Sequence, residues 1–402
     1  MVNSGIPWIG DIPKDWDKHR FKYAGTLQKG KLPTETNLDG NGLPIIGASE
    51  MLGKPFRQFS TDVGLPECNE SDILVLWDGA NAGIVASNLC GIVSSTAAKY
   101  SCADSRCDSN YTYYLLKGVE SYFKDKVFGT TIPHMNSDYI DDVPLLLPSL
   151  EEQQKIASFL DRKCSEIDEM IALQEKIVDE LKAYKQSVIT EAVTKGLNPD
   201  VPMKDSGIEW IGKIPEHWDV RRLKYVAERH CQKVTDEVLP YIGLENIESF
   251  SENYIETDNE YDISQAQICS VGDVIFGKLR PYLGKARVIK SEQCCSSEFI
   301  VLRGGEAPSY LRYLMLSNWF IEIVNASTYG TKMPRANADF IMNMQVIVPP
   351  IIERKEIECY LNTKCTEIDN LISIKLSKID SLKEYKKSII YEYVTGKKEV
   401  TE

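Results

Sequence analysis

The chain contains one sequence unit twice. Ser4–Tyr23 recurs as Ser206–Tyr225, and 13 of these 20 positions are identical, including both tryptophans of each copy. The agreement resumes farther along, where Gly129-Thr130 matches Gly330-Thr331, whereas the stretches between the matching points differ widely. Because a repeat is one structural unit used again, the sequence predicts two similar halves with a shared frame and divergent middles.

Each half is predicted to be a mixed α/β globule followed by one long helix. Short apolar runs next to Gly, Asn or Pro indicate strands, and longer runs with apolar residues at helical spacing indicate helices. The predicted strands are Asp72–Leu76, Gly83–Ala86, Val143–Leu147, Asp273–Phe276, Lys285–Ile289 and Gln345–Val348, and the predicted shorter helices are Tyr111–Lys124 and Ser309–Val324.

The two long helices are Leu150–Val193 and Ile351–Val394. Neither segment contains glycine or proline, and the apolar residues in each follow one another at alternating spacings of four and three. This heptad pattern predicts a narrow apolar seam that needs a partner helix. The predicted seam residues are Leu160, Ile167, Ile171, Val178 and Leu181 in the first helix, and Leu361, Ile368, Ile372, Ile379 and Leu382 in the second.

Polar residues interrupt both seams at matching positions, where Gln174 corresponds to Lys375 and Lys185 corresponds to Lys386. Polar seam residues specify register and partner, and each helix has its own copy as an available partner. We therefore predict that the two helices pair antiparallel, so that the chain returns toward its start. The predicted fold class is α+β, with mixed α/β domains at 1–148 and 197–348, long coiled-coil helices at 149–196 and 349–402, and a pseudo-twofold internal repeat.

The net charge of −13 argues against a protein that coats DNA indiscriminately. It is compatible with a local basic cleft, because salt confines charge effects to roughly 10 Å.

The chain has no apolar run near the ~18–20 residues that a membrane span needs. Residues 1–10 lack the basic stretch and apolar core of a signal peptide. The expected location is therefore the cytoplasm, with no membrane partner.

The eleven cysteines are scattered and form no Cys-x-x-Cys motif or zinc-ligand spacing. Cys164 and Cys365 occupy matching positions of the repeat, but both lie on an apolar helical stripe where a thiol acts as a small hydrophobic group. We therefore predict that they pack in the seam and that the chain holds no metal.

Three motifs, two of them with counterparts in the other half, resemble the specificity subunits of type I restriction-modification systems. Each half opens with Trp-Ile-Gly-x-Ile-Pro-x-x-Trp, at Trp8–Trp16 and at Trp210–Trp218. Gly129–Asn136 reads Gly-Thr-Thr-Ile-Pro-His-Met-Asn, and the first long helix begins with Pro-Ser-Leu-Glu-Glu-Gln-Gln-Lys-Ile at Pro148. The second copy departs from these patterns, because Gly330–Asn337 reads Gly-Thr-Lys-Met-Pro-Arg-Ala-Asn and the Glu-Glu-Gln-Gln run is missing after Pro349.

The resemblance implies a subunit that recognises a bipartite DNA target and is not an enzyme. Each globule would be a target-recognition domain for one half-site on double-stranded DNA. Two methyltransferase (modification) subunits would bind this chain, and two restriction subunits would join where the system also cleaves DNA. S-adenosylmethionine, ATP and Mg²⁺ would belong to those partners, and this chain would need no cofactor. In agreement, the sequence lacks the Asn/Asp-Pro-Pro-aromatic motif of methyltransferases and a Walker lysine loop.

We expect the DNA contacts in the divergent middles, because a shared frame cannot read unequal half-sites. Arginine suits guanine O6 and N7 in the major groove, and lysine more often holds phosphate. The candidates in the first half are Trp77, Asn81, Thr130, Thr131, His134 and Asn136. The candidates in the second half are Lys278, Arg280, Tyr282, Lys285, Arg287, Lys332 and Arg335.

Simpler interpretations stand beside these. The basic residues of the second half are also compatible with a solvated face, and His134 with a structural or merely exposed histidine. Because they belong to the shared frame, the tryptophans are predicted to be packing anchors rather than base-stacking groups; they are Trp8, Trp16, Trp210 and Trp218. For the whole chain, the alternatives are a coiled-coil scaffold that binds only proteins and a DNA enzyme with its own catalytic domain.

Overall fold

The computed structural model describes residues 1–6, 9–126, 133–141, 143–234, 239–257, 265–330 and 332–400. The chain divides into two compact units that are not contiguous in sequence. The first contains residues 1–173 and 378–402, and the second contains residues 174–377. Each unit therefore combines one globule with one segment from each long helix.

The first unit contains the β-structure of the first half. Its strands are β1 (Val2–Asn3), β2 (Asp11–Ile12), β3 (Asp17–Arg20), β4 (Gly25–Lys29), β5 (Leu43–Ile46), β6 (Phe59–Ser60), β7 (Glu67–Cys68), β8 (Ile73–Leu76), β9 (Val85–Ala86), β10 (Gly91–Val93), β11 (Ala97–Cys102) and β12 (Pro144–Leu147). Its short helices are α1 (Ala48–Met51), α2 (Ser109–Gly118), α3 (Glu120–Lys126) and α4 (Ser137–Asp141), with a 3-10 turn at Phe21–Tyr23. The long helix α5 (Leu150–Lys195) begins in this unit.

The second unit has a similar order of elements. Its strands are β13 (Met203–Asp205), β14 (Lys213–Pro215), β15 (Asp219–Arg222), β16 (Arg229–His230), β17 (Tyr241–Ile242), β18 (Gln267–Cys269), β19 (Asp273–Gly277), β20 (Ala286–Val288), β21 (Gln293–Cys295), β22 (Phe299–Arg303) and β23 (Gln345–Val348). Its helices are α6 (Pro308–Leu316), α7 (Asn318–Ala326), α8 (Ala338–Asn343) and the start of α9 (Ile351–Val394), with 3-10 turns at Leu223–Tyr225, Leu244–Asn246 and Pro281–Leu283.

The principal sheet has the same topology in both units. It is antiparallel with the strand order β4-β11-β8-β9 in the first unit and β16-β22-β19-β20 in the second. A smaller mixed sheet also recurs, with β10 between β5 and β7, and with β21 between β17 and β18. In both, the central strand is parallel to one neighbour and antiparallel to the other. The predicted mixed α/β halves and internal repeat are confirmed.

The apolar strand runs are buried as the sequence pattern requires. Ile73–Leu76 is fully buried in the first unit, and Asp273–Gly277 is fully buried in the second. In the second unit the core extends onto helix α5, where Ile189 and Val193 pack with the frame tryptophan Trp218. The helix is therefore part of the core of that globule.

Within each unit, the segments of the two long helices run antiparallel. In the first unit Lys386 of α9 is bonded to Asp168 of α5, and in the second unit Lys185 of α5 is bonded to Asp369 of α9. The antiparallel coiled-coil prediction is therefore confirmed. The fully buried members of the predicted seam are Leu160, Ile167, Ile171, Val178, Leu361, Ile368 and Ile379, and Leu181, Ile372 and Leu382 are half-buried.

Both long helices end on a frame tryptophan. Gly196 follows α5 with φ +78°, and an added Cβ there would lie 3.0 Å from Cζ2 of Trp218. Gly396 follows α9 with φ +66°, and its Cβ would meet Pro13 and Trp16 in the same manner. Glycine is favoured at both helix ends, because the backbone is left-handed and a side chain would meet the Trp218 indole at Gly196 and the Pro13 ring at Gly396.

Two sequence predictions are corrected. The helices expected at 111–124 and 309–324 are each broken in two, into α2 and α3 and into α6 and α7. The second break occurs at Ser317, whose extended backbone (ψ 148°) and bond from its hydroxyl to the Leu314 carbonyl end the first helix.

The packing prediction for the frame tryptophans holds for Trp16 and Trp218, which are buried. It is wrong for Trp210, which is 56% exposed, and Trp8 lies outside the described residues.

None of the helices in the described part of the chain combines the length and the apolar composition that a membrane span requires.

Candidate nucleic-acid interface

In the second unit, the loop after α7 lies across the turn that joins β19 to β20. The Arg280 amide donates to the Pro334 carbonyl (2.7 Å), and the Ala336 amide donates to the Lys278 carbonyl (2.9 Å). These bonds fix the 333–336 segment against the 278–284 turn. Basic residues that are far apart in sequence are thereby brought to one surface.

The first unit builds the same arrangement at the matching positions. The Gly79 amide donates to the Pro133 carbonyl (2.9 Å), and the Met135 amide donates to the Trp77 carbonyl (2.8 Å). The 133–136 segment is thus paired with the 77–83 turn as its counterpart is in the second unit. The backbone is shared, and the side chains that it presents are different.

In the second unit, charged side chains lie around the paired 333–336 segment and 278–284 turn. Arg335 is ion-paired with Glu298 and keeps 46% of its side chain exposed. Burial lowers the pKa of Lys278, with Arg229 and Arg335 adding to the effect and Glu298 opposing it. Lys278 is therefore a half-buried cation in a mixed cluster rather than a freely solvated one.

Three further candidates of the second unit are exposed at the same place. Arg280 has φ +50°, a left-handed backbone that directs the chain into the 3-10 turn Pro281–Leu283. Tyr282 is 47% exposed at the centre of that turn, and Lys332 is exposed in the facing loop. These side chains are available to a ligand on that surface.

Lys285 and Arg287 are both bonded to backbone carbonyls within the second unit. The Lys285 ammonium donates to the Leu244 carbonyl (2.6 Å), and burial lowers its pKa. The Arg287 guanidinium donates to the Glu252 carbonyl (2.7 Å) and lies over the Tyr254 ring. Both groups are half-buried and connect the hairpin to residues 244–252, so they are not included among the proposed DNA contacts.

The first unit offers a less basic surface. His134 Nδ1 lies 2.7 Å from Oδ1 of Asp78, and the Lys29 ammonium lies 3.1 Å from the other oxygen of that carboxylate. Lys29 also lies over the Trp77 ring, 5.9 Å from its centroid. His134 is therefore part of a hydrogen-bonded group, as the simpler interpretation allowed, but 46% of its side chain remains exposed.

The remaining candidates of the first unit divide in three ways. Asn81 is exposed at the tip of the 77–83 turn. The Asn136 side chain accepts from the Asp138 amide (3.0 Å) and begins α4, as Asn337 does for α8. Thr130 and Thr131 lie outside the described residues.

Several residues of this surface were not predicted. Arg229 is bonded to Asp339 (3.0 Å) in the first turn of α8, Glu298 pairs with Arg335, and Lys29 pairs with Asp78. These contacts join residues 37 to 110 positions apart. No local pattern in the sequence predicts these contacts. They depend on the strand order, which brings residues from distant parts of the chain together.

The described residues contain no group of three or more His, Cys, Asp or Glu side chains placed to hold a metal ion. All eleven cysteines are free, and Cys164 and Cys365 are buried in the helix seam as predicted.

Comparison with known proteins identifies the family. The sequence model described as "Type I restriction modification DNA specificity domain" matches residues 13–184. The chain is 28% identical to the type I restriction enzyme MjaVIII specificity subunit of Methanocaldococcus jannaschii, over 96% of this chain and 93% of that protein. It is 22% identical to the EcoDI specificity subunit of Escherichia coli, over 87% of this chain and 81% of that protein.

A solved structure shares the fold. A chain from a study of complex assembly and conformational transition of a type I restriction-modification system superposes with a TM-score of 0.69 at 14% identity, covering 96% of this chain and 98% of that one. The repeated globules, the antiparallel helices and these matches lead to one assignment: the chain belongs to the family of type I restriction-modification specificity subunits, the non-catalytic subunits that provide recognition of a DNA sequence.

Proposed function

We propose that this chain recognises a bipartite DNA target, with residues 1–148 and 197–348 as target-recognition domains that each bind one half-site. The observation that carries the proposal is the identical pairing of loop and turn in the two units, which presents different side chains on the same backbone. Two half-sites of different sequence on one duplex require such a pair of surfaces. The proposed contacts are Trp77, Asn81, Thr130, Thr131, His134 and Asn136 in the first half, and Lys278, Arg280, Tyr282, Lys332 and Arg335 in the second.

The two surfaces differ in charge, and we propose that they bind DNA differently. The second half presents arginine and lysine, which suit guanine edges and phosphates. The first half presents an indole, amides and a histidine, which suit adenine edges and apolar contacts better. Each half would therefore prefer its own base sequence.

We propose that two modification subunits bind along the paired helices. Met170 and Leu173 of α5 and their counterparts Leu371 and Ile374 of α9 are exposed apolar residues at matching positions of the repeat. Apolar residues exposed together mark contact surfaces, and a surface present twice fits two copies of one partner. S-adenosylmethionine would be bound by those partners, and restriction subunits, with ATP and Mg²⁺, would join the complex from outside this chain.

Sequencing of methylated sites tests the assignment of half-sites. The chain is expressed with its modification subunit, and one alanine set is made in each half. Changing Trp77, Asn81 and His134 is expected to alter one half-site only, and changing Arg280, Lys332 and Arg335 is expected to alter the other. Unchanged methylation with both sets would contradict the proposed contacts in both halves.

A gel shift with and without the modification subunit tests the need for the partner. The net charge of −13 predicts weak binding by the chain alone, because phosphate neutralisation then depends on few local cations. Adding the partner is expected to make binding tight and specific. Tight and selective binding by the isolated chain would overturn this part of the proposal.

A further inference from the structure

We propose that Lys185 and Phe250 are positioning residues for DNA recognition by the second half. They connect the 278–284 turn, which presents Arg280 and Tyr282, to the paired long-helix segments of that unit. The inference rests on the proposed function, which assigns this turn to DNA.

The connection begins at the ion pair between the buried Lys185 and the half-buried Asp369. The Lys185 ammonium lies 2.7 Å from both carboxylate oxygens of Asp369, and it also donates to the Phe250 carbonyl at 2.8 Å. Only 7% of the lysine side chain is exposed. An ammonium has three donors, so these three acceptors satisfy it without water. Lys185 therefore joins both helices to the segment that contains Phe250.

Phe250 in turn contacts the last residue of the 278–284 turn. Its backbone has φ +54°, a conformation that a phenylalanine holds only when its surroundings fix it. The Phe250 amide donates to the Gly284 carbonyl (3.0 Å), and its ring lies 2.5 Å from where a Cβ on Gly284 would be. Gly284 itself has φ +55°. Ring and backbone together therefore fix the last residue of the turn.

Gly284 closes the turn that bears the proposed DNA contacts. Its amide donates to the Pro281 carbonyl (2.9 Å), directly after Arg280. Residues 244–252, which we name the brace, hold the same hairpin at two more points through Lys285 and Arg287. Glu252 of the brace lies 3.5 Å from the buried guanidinium of Arg312. The turn that contains Arg280 is thus held by the brace, and the brace is held by Lys185 and Asp369 of the two long helices.

The first unit contains the same ion pair, but among its described residues the lysine has no bond to a backbone carbonyl that would correspond to that of Phe250. The Lys386 ammonium lies 2.7 and 2.6 Å from the oxygens of Asp168, and the part of the chain that the structure describes gives it no other acceptor. Its side chain is 26% exposed, so water can reach it. Recognition by the second half should therefore depend on its seam lysine, and recognition by the first half should not.

The matched variants Lys185→Met and Lys386→Met test this in the complex with the modification subunit. Binding is measured for the target duplex and for duplexes with single base changes in each half-site, together with the thermal unfolding temperature. A mismatch costs about 1–3 kcal/mol, or roughly 5- to 150-fold in affinity. Lys185→Met is expected to reduce this discrimination about fivefold or more in the half-site bound by the second half only. Lys386→Met is expected to leave discrimination unchanged in both.

Phe250→Gly provides a second variant that keeps both helices and the ion pair. Glycine accepts the left-handed backbone, so the loss is confined to the ring that holds the turn. It is expected to relax the same half-site as Lys185→Met. If Lys185→Met does not fold, Phe250→Gly decides the question.

Equal effects of the two lysine variants on both half-sites would overturn the proposal, as would unchanged discrimination in a folded Phe250→Gly complex. Arg280→Ala separates this failure from failure of the proposed function. If Arg280→Ala relaxes the second half-site but neither positioning variant does, the brace inference alone is wrong. If none of the three changes discrimination, the assignment of this turn to DNA is wrong as well.

Discussion

The buried ammonium of Lys185 in the first long helix lies 2.7 Å from both carboxylate oxygens of Asp369 in the second. Lys386 and Asp168 repeat the pair in the other unit. The lysines are the residues that interrupt the apolar seam at matching positions, and each aspartate belongs to a repeated Glu-Ile-Asp motif. Because a lysine in an apolar seam needs an acceptor, the two pairs fix the antiparallel register.

The two ion pairs should differ in their contribution to stability. Asp369→Ala leaves the Lys185 ammonium buried without its carboxylate, and we expect a loss of about 1–3 kcal/mol in the free energy of unfolding. Asp168→Ala affects a more exposed pair and should cost about 0–1 kcal/mol. Urea denaturation of the isolated chain measures both. Equal losses would show that burial of Lys185 does not matter.

Arg280 and Arg335 should each contribute to DNA binding. A bidentate contact to guanine predicts that Arg→Ala costs about 1–3 kcal/mol and relaxes one base position. A phosphate contact predicts weaker binding to all sequences and a salt dependence reduced by about one unit of slope. Titrations at several salt concentrations distinguish the two.

Arg221→Ala is the control for these variants, because Arg221 is an exposed arginine of the frame that pairs with Asp219. It should change neither affinity nor site preference. Unchanged affinity and preference for both Arg280→Ala and Arg335→Ala would refute the proposed DNA-binding face.

A circular permutant should retain recognition. In the first unit Lys397 donates to the Asp11 carbonyl (2.6 Å), and β1 pairs with β2 at the start of the chain, so the two ends meet in one unit. Joining the ends through a short linker and opening the chain at Asn198–Val201, an exposed turn, should preserve assembly and the recognised sequence. A folded permutant that no longer binds the original site would contradict this expectation.

Helix length should set the spacing of the half-sites. Because the helices are antiparallel, insertions must face each other rather than occupy the same position of the repeat. Ser373 lies opposite Leu181 in the register set by Lys185 and Asp369. One heptad inserted after Glu180 and another after Ser373 therefore keep the seam in phase.

Each insertion lengthens its helix by about 10 Å at 1.5 Å per residue. At about 3.4 Å per base pair, the spacer should grow by up to roughly three pairs, with some loss of affinity from DNA twist. Sequencing of methylated sites measures the spacer. Methylation of the original spacing at full efficiency would show that the helices do not set it.

Thiol reactivity should follow burial. Burial raises the pKa of Cys68 to about 11 and also raises the pKa of Cys164 and Cys365. A raised pKa leaves a smaller fraction of each thiol as thiolate at pH 8, and the thiolate is the reactive form. A disulfide reagent should therefore react rapidly in the native chain with three exposed cysteines, which are Cys90, Cys231 and Cys359. Rapid reaction at Cys164 would show that the seam opens readily.

The repeat, the fold class, both long helices and their antiparallel pairing were all predicted from the amino-acid sequence. These features depend on local periodicity, since a heptad pattern without glycine or proline permits little besides a paired helix. The loop at 330–337 and the turn at 278–284 were also identified as candidates from sequence, because Gly, Pro and basic residues mark them. Continuity of the shorter helices was predicted wrongly, because a single residue such as Ser317 ends a helix when tertiary packing favours the break.

The contacts of the basic residues, in contrast, depend on tertiary packing. Arg280, Arg287 and Arg335 are similar in sequence, but Arg280 is exposed on the turn, Arg287 binds the Glu252 carbonyl, and Arg335 pairs with Glu298. The brace and its link to Lys185 likewise join residues 65 positions apart. The chemistry of an arginine side chain determines which groups it can bind. Which acceptor lies close enough to bind depends on strands and loops that are distant along the chain.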